Sequence, residues 1–139
     1  MDKDSFFART MHTPDSPERG RTREALRDVS RALLPIHRRL IQSAKSDYAF
    51  AYDASTRPSE LIKLLQNDPF FAWLKPLTAL IVDIDEMTRT DFDTAEVETI
   101  IERVERLLSE QRYVEMLQRD VEIASGHAAL RRALHALKA

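Results

Sequence analysis

Residues 16–52 read SPERGRTREALRDVSRALLPIHRRLIQSAKSDYAFAY, and the spacing of apolar side chains in this stretch decides the fold. Leu26, Val29, Leu33, Ile36, Leu40, Ala44, Tyr48 and Ala51 recur every three or four residues. A helix advances about 100° per residue, so these side chains share one face. Ser16-Pro17-Glu18 supplies the start: a hydroxyl cap, a proline at the first helical position and an acid in the first turn. The pattern predicts a long helix ending near Tyr52. Pro35 lies inside it, removing an amide and crowding the preceding turn, so a kink near residues 31–35 or a true break is expected. Gly20 weakens the first turn.

The same reading extends outward. Residues 1–15 show no sustained period and read as a flexible N-terminal arm, with Phe6, Phe7 and Met11 able to dock on this chain or on a partner. Asp53 to Pro58 reads as a connecting loop. Pro58-Ser59-Glu60 opens a short helix carrying Leu61, Ile62, Leu64 and Leu65, which stops at Asn67. Asp68-Pro69 repeats the cap-then-proline signal before Phe70, Phe71, Trp73 and Leu74, and Pro76 marks a bend or restart. Leu77, Leu80, Ile81, Ile84 and Met87 then form a helical face to about Thr88. Asp93, with Glu96 three residues on, has the form of a capping box. Val97, Ile100, Ile101, Val104, Leu107 and Leu108 form the stripe that follows it. Tyr113 to Leu117 either extend that helix or belong to a bend. A last helix starts near Asp120 and carries Ile123, Leu130, Leu134 and Leu137, with Gly126 as an unfavourable interior residue.

These segments predict an all-α fold: an antiparallel four-helix-type bundle over residues 16–139 with an additional short helix at 59–75. Composition agrees. The chain has 139 residues, enough for a continuous core. With only 2 glycines it is poorly supplied for the turns of a strand-rich fold. It has no cysteine, which excludes disulfide frameworks, thiolate metal sites and cysteine nucleophiles. No apolar run reaches the ~20 residues of a membrane span, and the first residues do not form a signal peptide, so a cytoplasmic location without membrane association is expected. The 21 basic and 23 acidic residues nearly cancel, which argues against a dedicated nucleic-acid binder. Arg19, Arg21, Arg23, Arg27, Arg31, Arg38 and Arg39 are locally concentrated, but on a long helix they spread over solvated faces rather than forming a phosphate track.

From Leu64 to Leu77, LLQNDPFFAWLKPL, and on through Ile81-Val82-Asp83-Ile84-Asp85-Glu86, the sequence resembles a segment of small uncharacterised bacterial helical proteins. That resemblance covers about twenty residues. It implies a bacterial origin and a helical fold, and transfers no functional residue.

Few polar residues fall where a plain core would exclude them. His37 lies among Leu33, Ile36, Leu40 and Ile41; His127 lies beside Ile123, Leu130 and Leu134. Asp47 borders the first stripe, while Asp83 and Asp85 flank the third. A buried polar group without a partner costs roughly 1–3 kcal/mol, so each needs a hydrogen bond, a water or a ligand. One reading joins His37 and His127 to Asp85, Asp47, Tyr48 or Tyr113 in a network that fixes helix register; it is favoured because buried polar groups are normally paired. A second has His37, His127, Asp85 and Asp47 converging on a transition metal, since neutral imidazole suits zinc, iron or copper. The Glu-x-x-His pairs of di-iron bundles are missing, which counts against that subclass. A third reading is a proton-transfer or small-ligand pocket. Phe70, Phe71 and Trp73 either plug one end of the bundle or leave a ring exposed as a partner anchor.

The acid runs lack the calcium loop's glycine, and two isolated glycines cannot build a phosphate loop. Without a catalytic motif, the leading expectation is a non-enzymatic interaction or structural module, self-associating or binding a protein partner. The alternative is a metal- or small-ligand-binding bundle that uses inward-facing His and Asp.

Overall fold

The computed structural model describes residues 15–52 and 58–139, and all regular structure among them is helical. Helix α1 spans Pro17–Tyr52, α2 Pro58–Asn67, α3 Lys75–Arg89, α4 Thr94–Leu108, α5 Gln111–Arg119 and α6 Val121–Lys138; a 3-10 turn, Pro69–Leu74, joins α2 to α3. The arm expected over residues 1–15 and the loop expected from Asp53 lie outside the described residues, apart from Asp15 and Pro58.

The local signals act as expected at most helix ends. The Ser16 hydroxyl accepts from the Arg19 amide at 3.1 Å, opening α1. Asp93 and Glu96 close a full capping box at the start of α4. Asp68 caps the 3-10 turn through the Phe70 amide at 2.9 Å. Tyr113 to Leu117 form a helix of their own, separated from α4 because Glu110 accepts from the Arg112 and Tyr113 amides and starts a new one. Asp120 does the same for α6. The bundle therefore carries a second short helix besides α2.

Pro35 does not break α1, which runs through it for 36 residues. Both Pro35 and Arg31, whose carbonyl loses its amide partner, lie on the exposed side. The lost bond falls on the exposed side, while Val29, Leu33, Ile36 and Leu40 are buried on the opposite side.

Helix α1 is the shared wall of the core. It packs most extensively against α6 and next against α3. Both run antiparallel to it: Arg39 meets Asp120 while Ile36 meets Gly126, and His37 meets Thr78 while Arg23 meets Thr88. Leu26, Val29, Leu33, Ile36 and Leu40 are sealed between them, together with Leu77, Leu80 and Ile84 from α3 and Ile123 and Leu130 from α6. Each such side chain contributes roughly 1.5–3 kcal/mol on burial. Helix α4 adds Ile100 and Val104, and α5 adds Tyr113.

One arginine departs from the expected solvated face. Arg23 is 3% exposed. Its guanidinium donates to the carbonyls of Met87, Thr88 and Thr90 at the C-terminal end of α3, pairs with both oxygens of Asp15, and lies over the Phe92 ring. Those carbonyls have no later turn of helix to bond them, and the fixed fork of donors takes that place. Arg19, one turn earlier, bonds Asp91 and the Phe92 carbonyl. The first stripe thus continues N-terminally through Arg23, three residues before Leu26, with a charged member where it meets a helix end.

Gly126 explains itself against α1. A Cβ built there would lie 2.8 Å from Cγ1 of Ile36, so the two helices approach too closely for alanine. Alanine would gain about 1 kcal/mol of helix propensity, but overpacking costs about 1–3 kcal/mol. Gly126→Ala is therefore expected to lower urea-unfolding stability by about 1 kcal/mol, and to raise it in an Ile36→Ala background, where the obstructing atom is gone. Equal effects in both backgrounds would show that the contact does not limit the packing.

Candidate functional site

The α3 residues on one side of its core stripe face a groove. Leu77, Leu80 and Ile84 point inward, while Lys75, Thr78, Ala79 and Val82 form a neighbouring stripe. Together with His37 and Ile41 of α1 and Ile62, Leu65 and Gln66 of α2, they line an open cleft of about 670 Å³. Its walls are mainly apolar. Ile62 and Val82 are 59% and 58% exposed, large apolar side chains that the core does not use.

His37 is half-buried in this wall, and its Nε2 lies 2.9 Å from the Thr78 hydroxyl. The hydroxyl also lies 3.3 Å from the Leu74 carbonyl. One proton assignment satisfies both contacts: Thr78 donates to Leu74, and the His37 Nε2–H donates to Thr78. His37 then acts as a donor rather than a base toward the hydroxyl. Burial pulls its pKa below the ordinary imidazole value, so the neutral form is favoured.

The other residues singled out by sequence are dispersed. His127 Nδ1 lies 2.8 Å from the Tyr113 hydroxyl, in the seam between α5 and α6. Burial pushes the Tyr113 phenol up to about 12, keeping it a proton donor. Asp85 pairs with Arg89 at 2.7 Å, and Asp47 with Arg119 at 2.6 Å, both at the surface. His37, His127, Asp85 and Asp47 thus each have a separate partner, and no bond joins them to one another. Among the described residues no group of three or more His, Asp or Glu side chains is placed to hold a metal ion. Only the His127–Tyr113 pair matches a partnership expected from sequence. Both imidazoles are partly buried, His37 in the groove wall and His127 beside Tyr113, but spacing within a helix does not say which neighbouring helix each will meet.

The aromatic trio also divides. Phe71 is 0% exposed, so it belongs to the core rather than to a partner-facing anchor. Phe70 packs edge-on against Phe71 and Tyr48, and Trp73 is half-buried beside Leu77 and Arg103. Asp68 caps the tight turn that carries the trio, and Phe71 is its fully buried member.

Sequence reasoning missed Thr78, Ala79 and Val82 as a surface. The available signal was the second stripe at 75, 78, 79 and 82, running beside the core stripe of the same helix. Comparisons with protein-family models, curated proteins and solved structures found no match for this chain. No helix among the described residues is long and apolar enough to cross a membrane.

The two inner histidines give the fold a pH dependence. Burial lowers the pKa of His37; burial and then the nearby Arg131 charge lower that of His127. Between those folded values and the unfolded value of about 6.5, the unfolded chain binds more protons, so stability rises with pH. The contribution is fully present above about 6.5 and is lost as pH falls through the folded values. Urea unfolding is expected to show lower stability at about pH 5 than at about pH 7.5, with most of that drop removed in a His37→Gln/His127→Gln variant. An undiminished drop in the variant would place its origin in other groups.

Proposed function

We propose that this chain is a non-enzymatic helical binding module whose groove between α1, α2 and α3 takes an apolar small ligand. The observation that carries this reading is the cleft of about 670 Å³ with exposed Ile62 and Val82 on its walls. Small-molecule sites typically occupy about 300–1,000 Å³, lined by apolar groups with a few polar ones that orient the ligand. Here His37 and Thr78 are the polar pair within an otherwise greasy wall. Their mutual bond favours binding over nucleophilic chemistry, because the assigned proton pattern leaves Thr78 without a base, and a nucleophile needs one. The dispersed partners of His37, His127, Asp85 and Asp47 favour a small apolar ligand over a transition metal.

Ala79 is exposed on the groove wall, so enlarging it fills the cleft without entering the core. Nile red, a neutral dye that brightens in apolar surroundings, is expected to bind the wild-type chain. Ala79→Trp is expected to weaken that binding at least about tenfold, with unfolding stability changed by no more than about 0.5 kcal/mol. Equal dye binding by Ala79→Trp, or none by the wild type, would overturn the reading.

A further inference from the structure

The charges on the groove wall select among apolar ligands, and this step rests on the binding reading above. Two charged side chains line the cleft, Lys75 and Asp83. Asp83 is already neutralised by Arg103 of α4, whose Nη1 lies 2.7 Å from its carboxylate. Among the described residues the Lys75 side chain has no ion pair or hydrogen bond, so its ammonium is the one uncompensated charge on the lining. The remaining polar lining is neutral: the Gln66 amide, the Thr78 hydroxyl and His37, whose imidazole is bonded to Thr78.

Lys75 opens α3 and Asp83 lies eight residues further along the same helix, a rise of about 12 Å. Ala79 and Val82 lie between them along the helix, and Ile41 and Leu65 line the same cleft. That distance matches a medium-length acyl chain lying along the helix. A free cation at one end and a neutralised carboxylate at the other suit one anionic head rather than two.

We propose that the groove binds a single-chain amphiphile with an anionic head, such as a medium-chain carboxylate, with the head at Lys75 and the tail along Ala79 and Val82. Charge complementarity sets the orientation, since a carboxylate at the Lys75 end meets an unpaired ammonium. A cationic amphiphile would meet like charge there and gain nothing at Asp83, which Arg103 already holds. Apolar burial along the tail supplies most of the affinity.

The test uses the full chain with decanoate and decyltrimethylammonium, each below its micelle concentration, read by calorimetry and by amide shifts in α1, α2 and α3. Decanoate is expected to bind more tightly than the cation, with shifts centred on Lys75, Thr78, Ala79 and Val82. Lys75→Gln is expected to weaken decanoate about threefold and Lys75→Glu about tenfold, while Ala79→Trp removes both ligands. Lys75 is exposed, so its variants fold as the wild type does. Equal binding of the two amphiphiles, or decanoate affinity unchanged in Lys75→Glu, would overturn the head-group assignment and leave the groove standing. No groove shift with either amphiphile would overturn the binding reading as well.

Discussion

The structure depends on covering one stripe. From Leu26 to Ala44, α1 presents apolar side chains along 19 residues, about 27 Å of helix. No single short helix can cover that length and width. Two antiparallel helices, α3 and α6, cover it from either side, and the remaining helices close the gaps those two leave. Polar contacts fix the register of each. On α3 it is the buried Arg23, which ties the helix end to α1. On α6 it is the Arg39–Asp120 pair together with the close passage of Gly126 over Ile36. Removing Arg23 would strand three carbonyls and leave the Asp15 carboxylate without the guanidinium that holds both its oxygens. Its effect therefore extends beyond one contact.

The groove follows from the same constraint. Once α3 and α6 occupy the two flanks of α1, α2 has no core stripe left to cover. It packs mainly on the 3-10 turn, and none of the α2 side chains described is fully buried. The Pro69–Leu74 turn holds α2 beside α3 without pressing it into the bundle, with Phe71 and Leu74 as the buried pins. A cleft results between α2 and the α1–α3 seam, and its walls include Ile62 and Val82, which the core does not use. Helix ends with few buried contacts open more readily than core helices. The same loose packing that leaves the cleft open would let α2 adjust around the proposed ligand.

Helix positions were legible in the sequence because capping is local. Ser16, Asp93 and Asp120 each act on amides within three residues, so short-range chemistry sets those starts. Core stripes were legible for a similar reason, since a three-to-four spacing defines a face whatever that face meets. Of the two outcomes expected at Pro35, a kink or a break, the break does not occur: the helix continues through it, with Pro35 on the exposed side. Arg23 was misread. Its charge argued for solvent, while its place on the stripe, three residues before Leu26, pointed inward. The pairing of His37 with Thr78, and the separation of His37 from His127, were beyond reach because both depend on which helices flank α1. The groove was partly written in the second stripe of α3, but a stripe shows a surface and not what lies across from it.

Native-state hydrogen exchange tests the central role of α1 most directly. Amides from Val29 to Ala44 should exchange only through global unfolding, at least as slowly as the best-protected amides of α3 and α6, while α2 exchanges through local opening at a lower free energy. Protection in α1 weaker than in both α3 and α6 would show that the bundle does not hang on that stripe, and would contradict the account.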